Sequence, residues 1–305
     1  MSRSNRPSTV NALCDWAEAR ALEIYRKPGS RRPTREHYNI RDSLRPLRQV
    51  AGPRPPQSVR AEDLCDCQAL MVEAVLSRKT INDRINRIRR VFRWATKPPN
   101  RWIDSAVLAD LSLVDPLAKG RSAAPDNPPV QPVSWDTVSA TIAAAAADLE
   151  LATAIELQWH TGMRPGELVR MERQELTRQG DLTIYRPAEH KTQHYEVDRV
   201  ITIGQLGRSV LDAWLRRLPP PPERPRVFRW SKTDYYRQAI HRLNQREKLA
   251  DWSPNQIRHA FGTRVRAEAG IDAAQWLMGH RHVRTTEIYA EKNRRAGEEA
   301  ARRLG

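Results

Sequence analysis

The sequence predicts a mainly α-helical protein with a small β-sheet, divided into two domains. Apolar residues recur at helical spacing through most of the chain and alternate in only two short segments beyond residue 180. A stretch rich in proline and poor in apolar residues interrupts this pattern at 119–132. A chain of 305 residues has enough apolar material for two cores. We therefore predict a first domain over 1–118, a linker over 119–132 and a second domain over 133–305.

The first domain is predicted to be helical, with prolines separating its helices. The fourth helix is the clearest, because Ile81, Ile85 and Ile88 begin an apolar stripe that continues at helical spacing. Arginines occupy its other faces, and it lies between Ser77 and Pro98. The three preceding helices are predicted over 10–25, 35–50 and 64–76.

The second domain is predicted to contain both helices and strands. Ser134 can cap its first helix, and Gly162 can end its second. Apolar and polar residues alternate over 181–185 and 197–203, which predicts two strands on either side of a polar reversal. Helices are predicted over 134–147, 149–160, 205–218, 232–248, 253–269 and 272–278.

The charge of the chain predicts a polyanionic partner. Lysine and arginine number 52 against 36 aspartates and glutamates, an excess of 16. Because both predicted domains are basic, we expect the partner to contact both. On the fourth helix, the residues expected to contact phosphate are Lys79, Arg84, Arg87 and Arg90. The alternative is that a high pI only keeps the protein in solution and that these side chains face water.

The cysteines and the apolar segments indicate the compartment. Three cysteines cannot form a disulfide framework, and Cys65 and Cys67 lack the second ligand pair of a zinc site. No segment has the character of a signal peptide or a membrane span. We therefore expect a cytoplasmic protein with free thiols, no metal ion and no contact with a membrane.

Three short motifs follow one another in the second domain. The first is Thr161-Gly-Met-Arg-Pro-Gly-Glu-Leu168, the second is Ile257-Arg-His259, and the third runs from Gly279 through His280 to Tyr289. Together with a polar reversal over 187–193, they resemble the active site of the tyrosine recombinases, the phage integrase family. The resemblance covers about 133–290. The first domain is similar only in general form, to the helical, SAM-like core-binding domain with which these enzymes close a clamp on DNA.

The resemblance implies a nucleophile and the groups that stabilise the attacked phosphate. Tyr289 is implied as the nucleophile, and a tyrosine suits the task because its phenolate leaves as readily as it attacks. Arg164 and Arg258 are implied as the phosphate ligands, since a guanidinium contacts two oxygens at once and keeps its charge when desolvated. Glu167 matches the acidic position that supports the arginines.

Two further residues are implied by the same resemblance. Lys191, the only lysine of the polar reversal, is implied as the general acid that protonates the departing 5′ oxygen. His280 is implied as a donor to the scissile phosphate. The partner is double-stranded DNA, on which such enzymes act as tetramers, and we expect a monomer in solution. No cofactor is implied.

The second motif departs from the family. Members usually carry histidine, sometimes lysine, three residues before the second arginine, and this chain carries Asn255. An asparagine can donate a hydrogen bond to phosphate but cannot accept the proton of the tyrosine. Asn255 therefore leaves open a catalytically impaired homologue that only binds its DNA site. A second alternative is a topoisomerase-like enzyme with the same chemistry, which nicks and relaxes DNA.

Overall fold

The computed structural model describes residues 6–26, 32–188, 199–220 and 223–279. The chain divides into two compact units, Met1–Pro129 and Val130–Gly305, and each has its own buried apolar core. Helices dominate both units, and a small sheet lies in the second. The predicted fold class, mainly α with a small β-sheet, is confirmed.

The described part of the first unit contains five α-helices. The predicted helices are present, and Ser77 caps the fourth by accepting a hydrogen bond from the amide of Thr80 at 3.3 Å. The fifth helix was not predicted, because only Val107 and Leu111 of its seven residues are buried and periodicity cannot be read from so few. The helices are α1 (Val10–Ile24), α2 (Arg35–Ala51), α3 (Ala61–Glu73), α4 (Arg78–Thr96) and α5 (Ser105–Leu111).

Part of the segment predicted as a linker contacts the first unit. Ala124 is buried in its core, and the amide of Arg78 donates to the carbonyl of Pro125 at 2.9 Å. The Arg78 guanidinium also pairs with Asp126 at 2.7 Å. The chain is thus held to the start of α4 as far as Asp126, while the boundaries of the linker at 119 and 132 stay a prediction.

The second unit contains six helices and three strands in its described part. Gly270 has non-helical angles (φ 84°, ψ 178°) within α11, which divides that element into two pieces near the predicted break. The elements are α6 (Trp135–Ala144), α7 (Leu149–Thr161), α8 (Pro165–Arg170), β1 (Leu176–Gln179), β2 (Leu182–Tyr185), β3 (Ile201–Ile203), α9 (Gln205–Leu215), α10 (Thr233–Arg246) and α11 (Pro254–Met278).

The sheet is antiparallel in the order β1-β2-β3. Only two strands were predicted; β1 was missed because its one apolar residue, Leu176, is followed by three exposed residues and gives no alternation. Tyr185 at the end of β2 is fully buried, and its hydroxyl donates to the carbonyl of Glu167 at 2.8 Å. This bond ties the sheet to α8, the helix of the first motif.

Candidate active site

The first motif forms a rigid corner between α7 and α8. Gly162 ends α7 in the left-handed region (φ 59°, ψ 14°), as the sequence predicted, and a Cβ there would collide with the ring of Phe261. Pro165 is the first residue of α8, where its fixed φ suits the helix. Arg164 lies between these two constraints, so its backbone has little freedom.

Glu167 is a buried carboxylate with two arginine partners. It is 1% exposed, and its oxygens accept from the Arg164 amide at 2.7 Å and from Arg164 Nη1 at 2.8 Å. Arg199 Nε, itself buried, donates to Oε1 at 3.0 Å. Burial alone would raise the pKa of Glu167, but the charges and hydrogen bonds of Arg199 and Arg164 lower it to about 2. Glu167 is therefore ionised at any physiological pH.

Arg258 is buried on the first piece of α11. It is 6% exposed, and its guanidinium donates from Nη1 to the carbonyl of Gly162 at 2.8 Å and from Nη2 to that of Met278 at 2.5 Å. The second arginine is thus in direct contact with the turn that carries the first. It also holds the end of α11, at Met278.

Three arginines meet at the C-terminal end of α11. Gly279 ends this helix in the left-handed region (φ 59°, ψ 51°), and its carbonyl accepts from Arg164 Nη2 at 3.4 Å. A Cβ at 279 would collide with the guanidinium of Arg199 unless that side chain moved, and the left-handed φ also favours glycine here. Arg258 contacts the preceding carbonyl. Guanidinium groups are favoured at this end of a helix because its carbonyls carry partial negative charge.

The structure brings together three of the residues identified from the sequence, Arg164, Glu167 and Arg258. Asn255 lies in the first turn of α11, three residues before Arg258, and is exposed. The other three residues, Lys191, His280 and Tyr289, lie outside the described residues. His280 directly follows Gly279 in the sequence.

Arg199 was not identified from the sequence. It lies two residues before β3, and nothing in its spacing distinguishes it from the many other arginines of the chain. One signal in the sequence is the position of Arg199 directly before an apolar alternating strand. An arginine buried at such a position needs an acidic partner.

Three of the four basic residues predicted to contact phosphate on α4 pair with acidic residues within the first unit. Arg87 Nε and Arg90 Nη1 both donate to Glu36 Oε1 of α2, at 3.1 and 2.7 Å. Lys79 pairs with Asp83 one turn along the same helix at 2.7 Å. Burial lowers the pKa of Arg84. These ion pairs were not predicted, and contact of this face with DNA stays a prediction.

The three cysteines are free thiols. Cys14 and Cys67 are buried free thiols, and burial raises the pKa of each to about 12. Cys65 is an exposed free thiol. In the described ranges, no three side chains of histidine, cysteine, aspartate or glutamate come together as a metal site. Nor does any helix of those ranges have the length and apolar character to cross a membrane.

Comparison with known proteins gives one family and several relatives. The model of the phage integrase family matches residues 135–295. Tyrosine recombinase XerC of Pseudomonas aeruginosa (strain LESB58) is 31% identical over 142 residues, which cover 44% of this chain and 45% of XerC. Tyrosine recombinase XerD of Ralstonia nicotianae is 29% identical over 302 residues, covering 93% of this chain and 90% of XerD. The chain therefore spans less than half of XerC and most of XerD.

Solved structures show the same fold at low identity. A lambda integrase tetramer bound to a Holliday junction matches with a TM-score of 0.67 and 14% identity, covering 94% of this chain and 78% of the integrase. The XerH site-specific recombinase bound to a palindromic difH substrate matches with a TM-score of 0.72 and 12% identity, covering 98% and 97%. Both matches extend over most of this chain, so they include both compact units.

Proposed function

Because this chain belongs to the phage integrase family, we propose that it is a site-specific recombinase that cuts and rejoins double-stranded DNA through a phosphotyrosine bond on Tyr289. One observation supports the chemistry most directly. Arg164 and Arg258, on separate elements, are both fixed by contacts to the 162–167 corner and to the end of α11, directly before His280. A phosphate bound there would meet two immobilised cations.

In the proposed reaction, the Tyr289 hydroxyl gives its proton to water or to a phosphate oxygen, its oxygen attacks the scissile phosphorus, and the bond to the 5′ oxygen breaks. The products are a 3′-phosphotyrosine and a 5′ hydroxyl, whose proton comes from Lys191. Arg164, Arg258 and His280 stabilise the charge of the pentavalent transition state. Rejoining is the same step in reverse: a 5′ hydroxyl of the partner strand attacks, and the tyrosine leaves.

Preorganisation is the contribution of Glu167 and Arg199. Arg164 is 23% exposed on its side chain, so it can reach a phosphate while Glu167 holds it from behind. Glu167 pairs with Arg199 as well as with Arg164, so its negative charge is divided between two guanidinium groups. With Arg258, the three arginines outnumber this one carboxylate, and the site keeps a net positive charge. Donors fixed before the reaction need no reorganisation as charge develops.

Double-stranded DNA is the proposed partner, and four copies on two duplexes are the proposed assembly. The excess of 16 basic residues and the shared fold with a lambda integrase tetramer bound to a Holliday junction support both. The proposed location is the cytoplasm, where the chromosome of a bacterium lies.

Trapping a covalent adduct tests this function. Random duplexes are first enriched by binding to the Tyr289→Phe variant, which keeps the DNA-binding surface. The enriched site is then nicked near the cleavage position, so that a short fragment escapes and rejoining is blocked. The wild-type chain should accumulate a protein–DNA adduct on a denaturing gel, and Tyr289→Phe should give none.

Each alternative predicts a different outcome. Specific binding without an adduct would favour the catalytically impaired homologue that only binds DNA. An adduct followed by relaxation of supercoiled plasmid, without exchange between two sites, would favour the topoisomerase-like enzyme.

A further inference from the structure

A fully buried glutamine connects the two elements that carry the arginines. Gln158 lies in the last turn of α7 and is 0% exposed. Its Nε2 donates to the carbonyl of Met163 at 3.1 Å and to that of Pro254 at 3.2 Å. Met163 directly precedes Arg164, and Pro254 begins α11 four residues before Arg258.

Tyr236 of α10 fixes the orientation of this amide. It is also 0% exposed, and its hydroxyl donates to Gln158 Oε1 at 3.1 Å. An amide has two N–H donors and one carbonyl oxygen. Both N–H groups of Gln158 donate to main-chain carbonyls, and the Tyr236 hydroxyl donates to Oε1. These bonds distinguish the nitrogen of the amide from its oxygen. Turning the amide over would face Oε1 towards two carbonyls, so a single orientation is stable.

An amide at this position is costly unless its bonds are made, because a buried polar group without a partner destabilises the folded chain. An apolar residue would fill the same place without that risk. What the amide adds is a defined distance between two carbonyls 91 residues apart in sequence, one beside each arginine. Arg258 makes its own bond to the same corner, at Gly162. A phosphate clamp with two cations depends on this spacing, since small misplacements of catalytic groups lower rates strongly.

We propose that Gln158 is a positioning residue for strand cleavage, which fixes the spacing of Arg164 and Arg258, and that Tyr236 orients it. This rests on the proposed function, because the spacing matters for a phosphate held by both arginines. Neither residue touches DNA.

Matched variants separate an effect of Gln158 on the spacing of the two arginines from an effect on the stability of the fold. Gln158→Met keeps the length of the side chain but removes the amide, and leaves the Tyr236 hydroxyl buried without a partner. The double variant Gln158→Met/Tyr236→Phe also removes the unpaired hydroxyl, which offsets part of the loss of stability, while the carbonyls of Met163 and Pro254 still lack the amide. Thr141→Val is the control, because it removes another buried hydroxyl of this unit, bonded to Asn244 and Trp252.

Single-turnover cleavage of the nicked duplex, DNA affinity and thermal stability are measured for each variant. Gln158→Met should lower Tm and slow cleavage by about ten- to a hundredfold, with DNA affinity within about twofold of wild type. The double variant should regain the part of the Tm that the unpaired hydroxyl costs and still cleave slowly. Thr141→Val should lose Tm and cleave at the wild-type rate. Cleavage that recovers together with Tm in the double variant would overturn the proposal.

Two more measurements keep the test decisive. If Gln158→Met does not fold, Tyr236→Phe alone should slow cleavage by about three- to tenfold, and a wild-type rate in it would overturn the proposal. If the wild-type chain forms no adduct, the proposed function fails. Hydrogen exchange then decides the positioning role: the double variant should exchange faster in both 162–170 and 254–262, and unchanged protection would overturn it.

Discussion

At the scale of single residues, Glu167 balances a buried charge that would otherwise be unpaired. Replacing it with glutamine leaves Arg199 buried without an anion, and breaking such a pair costs about 3–5 kcal/mol. Because Arg199 and Arg164 lower the pKa of Glu167 from 4.5 to about 2, its contribution is complete above pH 4.5 and is lost as pH falls towards 2.

Thermal unfolding of wild type and Glu167→Gln across pH tests this. The difference in Tm should be constant above about pH 5, since the carboxylate is then ionised in both folded and unfolded chains, and should shrink below the unfolded pKa. A difference that grows on acidification would contradict the assigned pairing.

The two phosphate ligands should contribute through the transition state. Arg164→Ala and Arg258→Ala should each cost about 2–4 kcal/mol of transition-state stabilisation, as the loss of an oxyanion donor does. Single-turnover cleavage measures the effect, with Tm as a check for Arg258, which is buried. Arg178→Ala is the control, because Arg178 lies on the edge strand β1, is 58% exposed and pairs with Asp212 of α9. Wild-type rates in either clamp variant would refute its role.

Asn255 should act as a neutral hydrogen-bond donor. Since it is exposed at the start of α11, a histidine fits there without repacking. Asn255→His should keep or raise the cleavage rate, and Asn255→Ala should lose about 1.5–3 kcal/mol, the worth of one hydrogen bond to a charged group. If the wild type forms no adduct on its site and Asn255→His does, the native chain is a DNA-binding homologue.

Sequence motifs predicted the two proposed phosphate ligands and Glu167, but not Arg199 and Gln158. Arg164, Glu167 and Arg258 belong to short motifs whose spacing is set by local turns. Arg199 and Gln158 act through partners 32 and 96 residues away, and such pairings leave no local pattern. The apolar periodicity of α7 also favours leucine at position 158. The sequence alone gives no reason for a glutamine there, because its hydrogen-bond partners are identified only in the structure.

At the scale of elements, helices with one clear apolar stripe were predicted well, and short elements were not. α4 shows both sides of this result. Its apolar stripe is buried as predicted. The ion pairs of Arg87 and Arg90 with Glu36 were not predicted, because they depend on the packing of α2 against α4.

Replacing Arg87 and Arg90 with alanine tests whether this face also meets DNA. Each neutralised phosphate contributes about 0.9 to the slope of log affinity against log salt, so the double variant should flatten the slope by up to about 1.8 and leave the site preference unchanged. Filter binding at several salt concentrations measures it, with Tm as the check for the lost ion pairs. An unchanged slope would mean that Glu36 is the only anion these residues bind.

At the scale of the whole molecule, the proposed reaction depends on a covalent bond between DNA and one residue. Of the proposed groups, Tyr289 alone can carry the DNA, and the tryptic peptide 285–292 contains no other tyrosine. The trapped adduct is digested with nuclease and trypsin, and the modified peptide is sequenced by mass spectrometry. We expect a nucleotide joined through its 3′ phosphate to Tyr289, and a free 5′ hydroxyl on the released strand. A nucleotide on any other residue, or a 5′ phosphate on the released strand, would contradict the proposed mechanism.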